Sequence, residues 1–138
     1  MNCVFCEIAK GLVTAEIVWR DESTLAFLDH KPLFPGHVLL IPLEHYATLA
    51  DVPENLVRPV FHAAQHLERA VEAALEAEGS FVAVNNRVSQ SVPHLHVHIV
   101  PRRKGDGLKG FFWPRRPYDS DAHLRETADK IRRALEKQ

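Results

Sequence analysis

The run His94-Leu95-His96-Val97-His98-Ile99-Val100 places three imidazoles at alternate positions. A strand has a side-chain period of two, so His94, His96 and His98 are expected on one face. Leu95, Val97 and Ile99 are expected on the other, in a core. Neutral imidazole is a nucleophile near pH 7, a proton carrier and a metal ligand. A strand that only packs would carry Thr, Ser or Lys on its polar face. Near the N-terminus, Cys3-x-x-Cys6 offers two thiolates at chelating spacing. A redox pair and two idle thiols are the other readings of that spacing. His37 opens an apolar run, His37 to Pro42, and Ser89-Gln90-Ser91 lies just before the histidines.

These side chains need a scaffold. Ile17 to Arg20 and Thr24 to Asp29 read as a hairpin joined at Asp21-Glu22-Ser23. Residues 37 to 42 read as a central strand, Ser80 to Asn85 as another, and His94 to Pro101 as the histidine strand. Cys3 to Lys10 reads as a short helix closed by Gly11. Asp51 and Glu54 suggest a capping box for a long helix. Val57, Val60, Phe61, Ala64, Leu67, Val71, Ala74 and Leu75 keep helical spacing, and Gly79 is the expected stop. Pro59 either kinks this helix or begins it. Asp121 to Glu136 repeats the pattern with Leu124, Ala128, Ile131 and Leu135. The expected class is α+β, a mainly antiparallel sheet of about five strands with a long central helix and a C-terminal helix. Residues 1–138 read as a single domain, with 105–138 as a C-terminal extension, loop plus helix, packed on it.

The 138 residues are 46% hydrophobic and 25% charged, with a formal net charge of −1. That balance gives no strong nucleic-acid signal, and no apolar stretch is long enough to span a bilayer. No signal peptide is read at the N-terminus, and two cysteines make no disulfide framework, which together fit a reducing cytoplasm.

The sequence resembles the histidine triad family of nucleotide hydrolases and transferases. His94 to Val100 fits the family's alternating signature, and Ser89-Gln90-Ser91 its approach loop. Phe27-Leu28-Asp29 and Pro35-Gly36-His37-Val38-Leu39-Leu40-Ile41-Pro42 fit its upstream pattern, and the Cys-rich start its zinc-binding bacterial members. The resemblance covers most of residues 3 to 101. It implies that His96 attacks an α-phosphorus, that His98 bonds the departing atom, and that His37 orients His96. It assigns Asp29 to the ribose, and Asn85, Ser89, Gln90 and Ser91 to the phosphate. Phe27, Ile8 and His30 are candidates for the base pocket, with plain core as the other reading of Phe27 and Ile8. It implies structural zinc on Cys3, Cys6, His45 and His94, and a homodimer paired through the long helix. The loop 86–89 departs from the family in being shorter, with Ser89 where glycine is common.

The expected activity is hydrolysis at the α-phosphorus through a nucleotidyl-histidine. It would release a nucleoside monophosphate from a dinucleoside polyphosphate or a nucleoside phosphoramidate. Arg102, Arg103, Lys104, Lys109, Arg115 and Arg116, interleaved with Phe111, Phe112, Trp113 and Tyr118, would mildly favour the polyphosphate if they reach it. A solvated loop with tucked aromatics is the plainer reading of that segment. Competing functions are a nucleotidyltransferase or phosphorylase, a hydrolase with catalytic zinc on the triad, and a non-catalytic nucleotide-binding module.

Overall fold

The computed structural model describes residues 2–109 and 114–138. Contacts divide the chain into Met1–Asp106 and Gly107–Gln138. In the first unit the elements are α1 (Val4–Ala9), β1 (Ile17–Arg20), β2 (Thr24–Leu28), β3 (Val38–Pro42), a 3₁₀ turn (Leu49–Asp51), α2 (Glu54–Ala74), β4 (Gly79–Val84) and β5 (Val97–Arg102). The strands form one antiparallel sheet in the order β1-β2-β3-β5-β4. The second unit holds α3 (Asp121–Leu135), whose first turn is capped by Ser120, its Oγ accepting from the His123 N–H. Phe111, Phe112 and Trp113 lie outside the described residues.

The apolar run of β3 takes the middle of the sheet because both its faces are covered. Its five residues are all buried. On one face Val38 and Leu40, with Ala26, Val97 and Ile99, meet the α2 stripe Val60, Ala63, Ala64, Leu67 and Val71. On the other, Leu39 and Ile41, with Leu25 and Phe27, meet Cys3, Phe5 and Ile8 around α1. Each large aliphatic side chain so buried contributes about 1.5–3 kcal/mol.

Three expectations need correction. The long helix starts at Glu54 and is not capped by the Asp51–Glu54 pair. Val52 precedes Pro53, and a residue before proline is held extended; it sits at φ −70°, ψ 127°. The box forms one turn earlier, where Asp51 accepts from the backbone N–H and the hydroxyl of Thr48. Pro59 lies inside α2, not at its start. The helix ends at Ala74 rather than at Gly79, because Glu76 turns to φ 52° and the Arg103 guanidinium caps the Leu75 carbonyl. Gly79 instead begins β4.

The third correction concerns the histidines. β5 starts at Val97, so His94 and His96 precede the ladder and only His98 lies within it. The backbone there has other partners. The Leu95 N–H donates to the Tyr46 carbonyl at 2.6 Å and the His94 N–H to that of Val92 at 2.8 Å. Leu95, Val97 and Ile99 are nevertheless fully buried.

Candidate active site and metal centre

Hydrogen bonds fix the proton on each triad imidazole. His96 Nδ1 lies 2.8 Å from the His94 carbonyl, which only accepts, so Nδ1 carries the proton and the lone pair is at Nε2. His37 Nδ1 accepts from the Leu33 N–H at 3.1 Å, so its proton is on Nε2. That Nε2–H donates to His98 Nδ1 at 3.0 Å. His98 therefore carries its own proton on Nε2, a buried donor with no partner among the described residues. The expectation that His37 orients His96 is corrected: its partner is His98. β3 pairs with β5 through Leu39↔His98, which brings position 37 beside that ring.

Burial sets the charge of these rings. Desolvation, reinforced by His96 and His37 and opposed by Asp29, pushes His98 down to about 4, so it is neutral at pH 7. Burial also lowers His37, with the Asp29 carboxylate 3.8 Å away opposing it. Burial lowers His94 too.

His96 and His98 line a cavity of about 700 Å³, a size suited to a small ligand. Val4, Phe5, Ile8 and Phe27 supply apolar wall, and Asp29, His30 and Ser91 polar points. Ile8 and Phe27 are thus both core and cavity wall. Phe5, which the sequence reading passed over, packs edge-on against His96 with ring centroids 5.1 Å apart. Its position between two cysteines on the short helix was the available signal. Thr14 and Glu16 also reach this wall, and no motif marks them.

The approach loop is placed differently from expectation. Ser91 lines the cavity, whereas Asn85, Ser89 and Gln90 do not. Gln90 is spent on the loop, its amide donating to the Ala47 carbonyl at 2.6 Å and its Oε1 accepting from the Arg87 N–H at 2.9 Å. Ser89 and Arg87 hold φ values of 61° and 68°, a left-handed backbone that favours glycine. Asn86 anchors the loop by accepting from the Leu49 N–H at 2.8 Å. The basic segment is also partly committed. Arg102 makes a two-pronged pair with Asp106 at 2.6 and 3.0 Å. It pairs with Gly79 at the far end of β5, roughly 17 Å along the strand from Val97.

Cys3, Cys6, His45 and His94 converge, with their ligand atoms within 4.8 Å of one another. Cys3 Sγ and Cys6 Sγ each lie 3.5 Å from His94 Nδ1, and Cys6 Sγ lies 3.3 Å from His45 Nδ1. Bond lengths of ~2.1 and ~2.3 Å put the ligands of tetrahedral zinc roughly 3.4–3.8 Å apart, so the set needs little movement to fit. His94 Nε2 donates to the Pro42 carbonyl at 2.9 Å, leaving Nδ1 bare for a metal. Burial and the adjacent Cys3 push the Cys6 thiol up, a cost that a dication would offset.

The HIT domain model matches residues 10–105. The chain belongs to the HIT domain family. Among its HIT relatives, "Protein hit" of Bacillus subtilis is 39% identical over 115 residues, 81% of this chain and 79% of that one. An adenosine 5′-monophosphoramidase of Candida albicans is 30% identical over 99% of this chain and 93% of its own length. An asymmetrical bis(5′-nucleosyl)-tetraphosphatase of Schizosaccharomyces pombe is 33% identical over 71% of this chain and 55% of its own. Among solved structures, a HIT family protein from Bacillus subtilis superposes with a TM-score of 0.88 at 32% identity, covering 96% of each chain. A zinc-bound histidine triad family protein from Mycobacterium smegmatis does so with a TM-score of 0.74 at 35% identity, covering 97% of this chain and 98% of that one. This HIT domain is α+β with a five-stranded antiparallel sheet. No helix among the described residues is long and apolar enough to cross a membrane.

Proposed function

We propose that this HIT protein hydrolyses a nucleotide at its α-phosphorus and releases a nucleoside monophosphate. The observation that carries the reading is the tautomer of His96. Its Nδ1–H is tied to the His94 carbonyl, leaving a nucleophilic Nε2 on a ring that lines an apolar cavity ending at Asp29. The base sits among Val4, Phe5, Ile8 and Phe27, with His30 at the rim, and the ribose hydroxyls donate to the Asp29 carboxylate. His96 Nε2 attacks the phosphorus, and the positive charge developing on the ring is held by the His94 carbonyl. The leaving group departs with the electron pair of its bond to phosphorus, and the His98 Nε2–H stabilises that charge. Water then displaces the nucleotide from His96.

Ser91 is the approach-loop residue at the phosphate, while Ser89 and Gln90 support it by shaping the loop. Zinc on Cys3, Cys6, His45 and His94, when bound, supplies positive charge for two thiolates and a crosslink between distant segments. The Candida relative's name supports a phosphoramidate with a small leaving group. So does the location of Arg102, at the far end of β5 and paired with Asp106. The Schizosaccharomyces relative supports a dinucleoside polyphosphate as the second reading. A homodimer and a cytoplasmic location complete the proposal.

The test is monophosphate release from adenosine 5′-phosphoramidate and from diadenosine polyphosphates by wild type and His96→Ala. Release by wild type, falling about a thousandfold or more in the variant while AMP still binds, is the expected result. Equal turnover in the variant refutes the covalent route.

A further inference from the structure

The six-residue helix α1 does two jobs at once. Cys3, its N-cap, and Cys6 reach His94 and His45, which lie 91 and 39 residues away along the chain. Val4, Phe5 and Ile8 of the same helix form the wall of the cavity, with Phe5 against His96, His94 and Phe27. Whatever holds the sulfurs in place therefore also holds the wall.

We propose that Cys3 and Cys6 are a site of reversible oxidative modification, in which hydrogen peroxide converts them to a disulfide and opens the cavity wall. The inference rests on the nucleotide reading for what the cavity holds. Cys6 is half-buried and Cys3 buried, so Cys6 is the sulfur attacked first and Cys3 the resolving one. The Cys6 thiol gives up its proton to solvent, and its sulfur attacks one peroxide oxygen as the O–O bond breaks. Cys6 becomes a sulfenic acid, and the departing hydroxide takes a proton to leave as water. The Cys3 thiolate then attacks the Cys6 sulfur and expels hydroxide, protonated to a second water. Two sulfurs have lost two electrons, and the peroxide has gained them. The sulfurs, up to 4.8 Å apart, must close to about 2.05 Å. Closure draws the first turn of α1 together and leaves only His45 and His94 of the four donors. The ties from α1 to residues 45 and 94 are broken, and Phe5 leaves its place on His96.

The experiment treats the zinc-loaded, full-length protein with hydrogen peroxide. It measures free thiols, intact mass, zinc release to a chromogenic chelator, melting temperature and AMP affinity by calorimetry. The expected result is loss of both thiols as a disulfide, release of zinc, a lower melting temperature and AMP affinity weakened about tenfold or more. Dithiothreitol with added zinc restores all of them. Thiols that survive peroxide sufficient to oxidise a free cysteine peptide overturn the proposal. So does a disulfide-bonded protein with unchanged melting temperature and AMP affinity. If the reduced protein binds no AMP, the nucleotide reading fails, and the thiol, zinc and melting measurements still decide the oxidation. Cys3→Ala, which forms no intramolecular disulfide, is expected to keep its melting temperature through the same treatment. If that variant does not fold, the wild-type arms decide alone.

Discussion

Replacing His98 by Gln removes a base whose proton affinity the fold suppresses. Burial, with His96 and His37 nearby and Asp29 opposing, holds the folded imidazole at about 4, against an ordinary value of 6.5. Between those values the unfolded chain binds a proton that the folded chain refuses. Stability therefore falls as pH drops through 6.5 and stops falling below about 4. The whole gap corresponds to about 3 kcal/mol, and roughly 2 kcal/mol of it is lost by pH 5. These are ceilings, because the cavity admits water to the ring. The assay is urea unfolding of wild type and His98→Gln near pH 7.5 and near pH 5, with stability taken from midpoint and slope. Wild type should lose about 1–2 kcal/mol more than the variant on acidification. Parallel losses in the two proteins would refute the argument that His98 is buried as a neutral base.

Gly36→Ala should destabilise by about 1–3 kcal/mol, read as a lower urea midpoint. The backbone there has φ +99°, and a Cβ would stand 2.9 Å from Leu75 Cγ. Ser89→Gly should leave stability within about 0.5 kcal/mol of wild type or raise it, since it relieves a φ of 61°; a loss above about 1 kcal/mol contradicts this. His45→Ala should abolish stoichiometric zinc, measured by elemental analysis of protein purified with the metal, and lower the melting temperature. Retained zinc would remove His45 from the set.

Much of the fold is legible because its signals are local. The unbroken apolar run of β3 demands cover on both faces, and the α2 spacing names the side that covers one of them. Helix boundaries were misread where a neighbour overrides propensity: Pro53 fixes Val52, and Glu76 turns before Gly79. The residue types of the metal set are legible from Cys-x-x-Cys, but the partner of His37 is not. That contact depends on the register Leu39↔His98 between strands about 60 residues apart. Gln90 carried a family motif, yet its side chain ties Arg87 of its own loop to the Ala47 carbonyl. Sequence spacing reveals that an amide is present but not whether it points inward. The basic run at 102–104 shows in the sequence that charge is present, but not that Arg102 is paired with Asp106 four residues on.

The sheet order also sets when this protein acquires its site. β3 waits for β5, and His37 meets His98 only 61 positions further along the chain, while Cys3 meets His94 91 positions on. The β1-β2 and β2-β3 pairings close short loops, whereas the contacts that make the cavity close long ones, whose entropy must be met before any reward arrives. A nascent chain that ends before His94 can pair β1, β2 and β3, yet it holds neither the nucleophile nor a complete metal set.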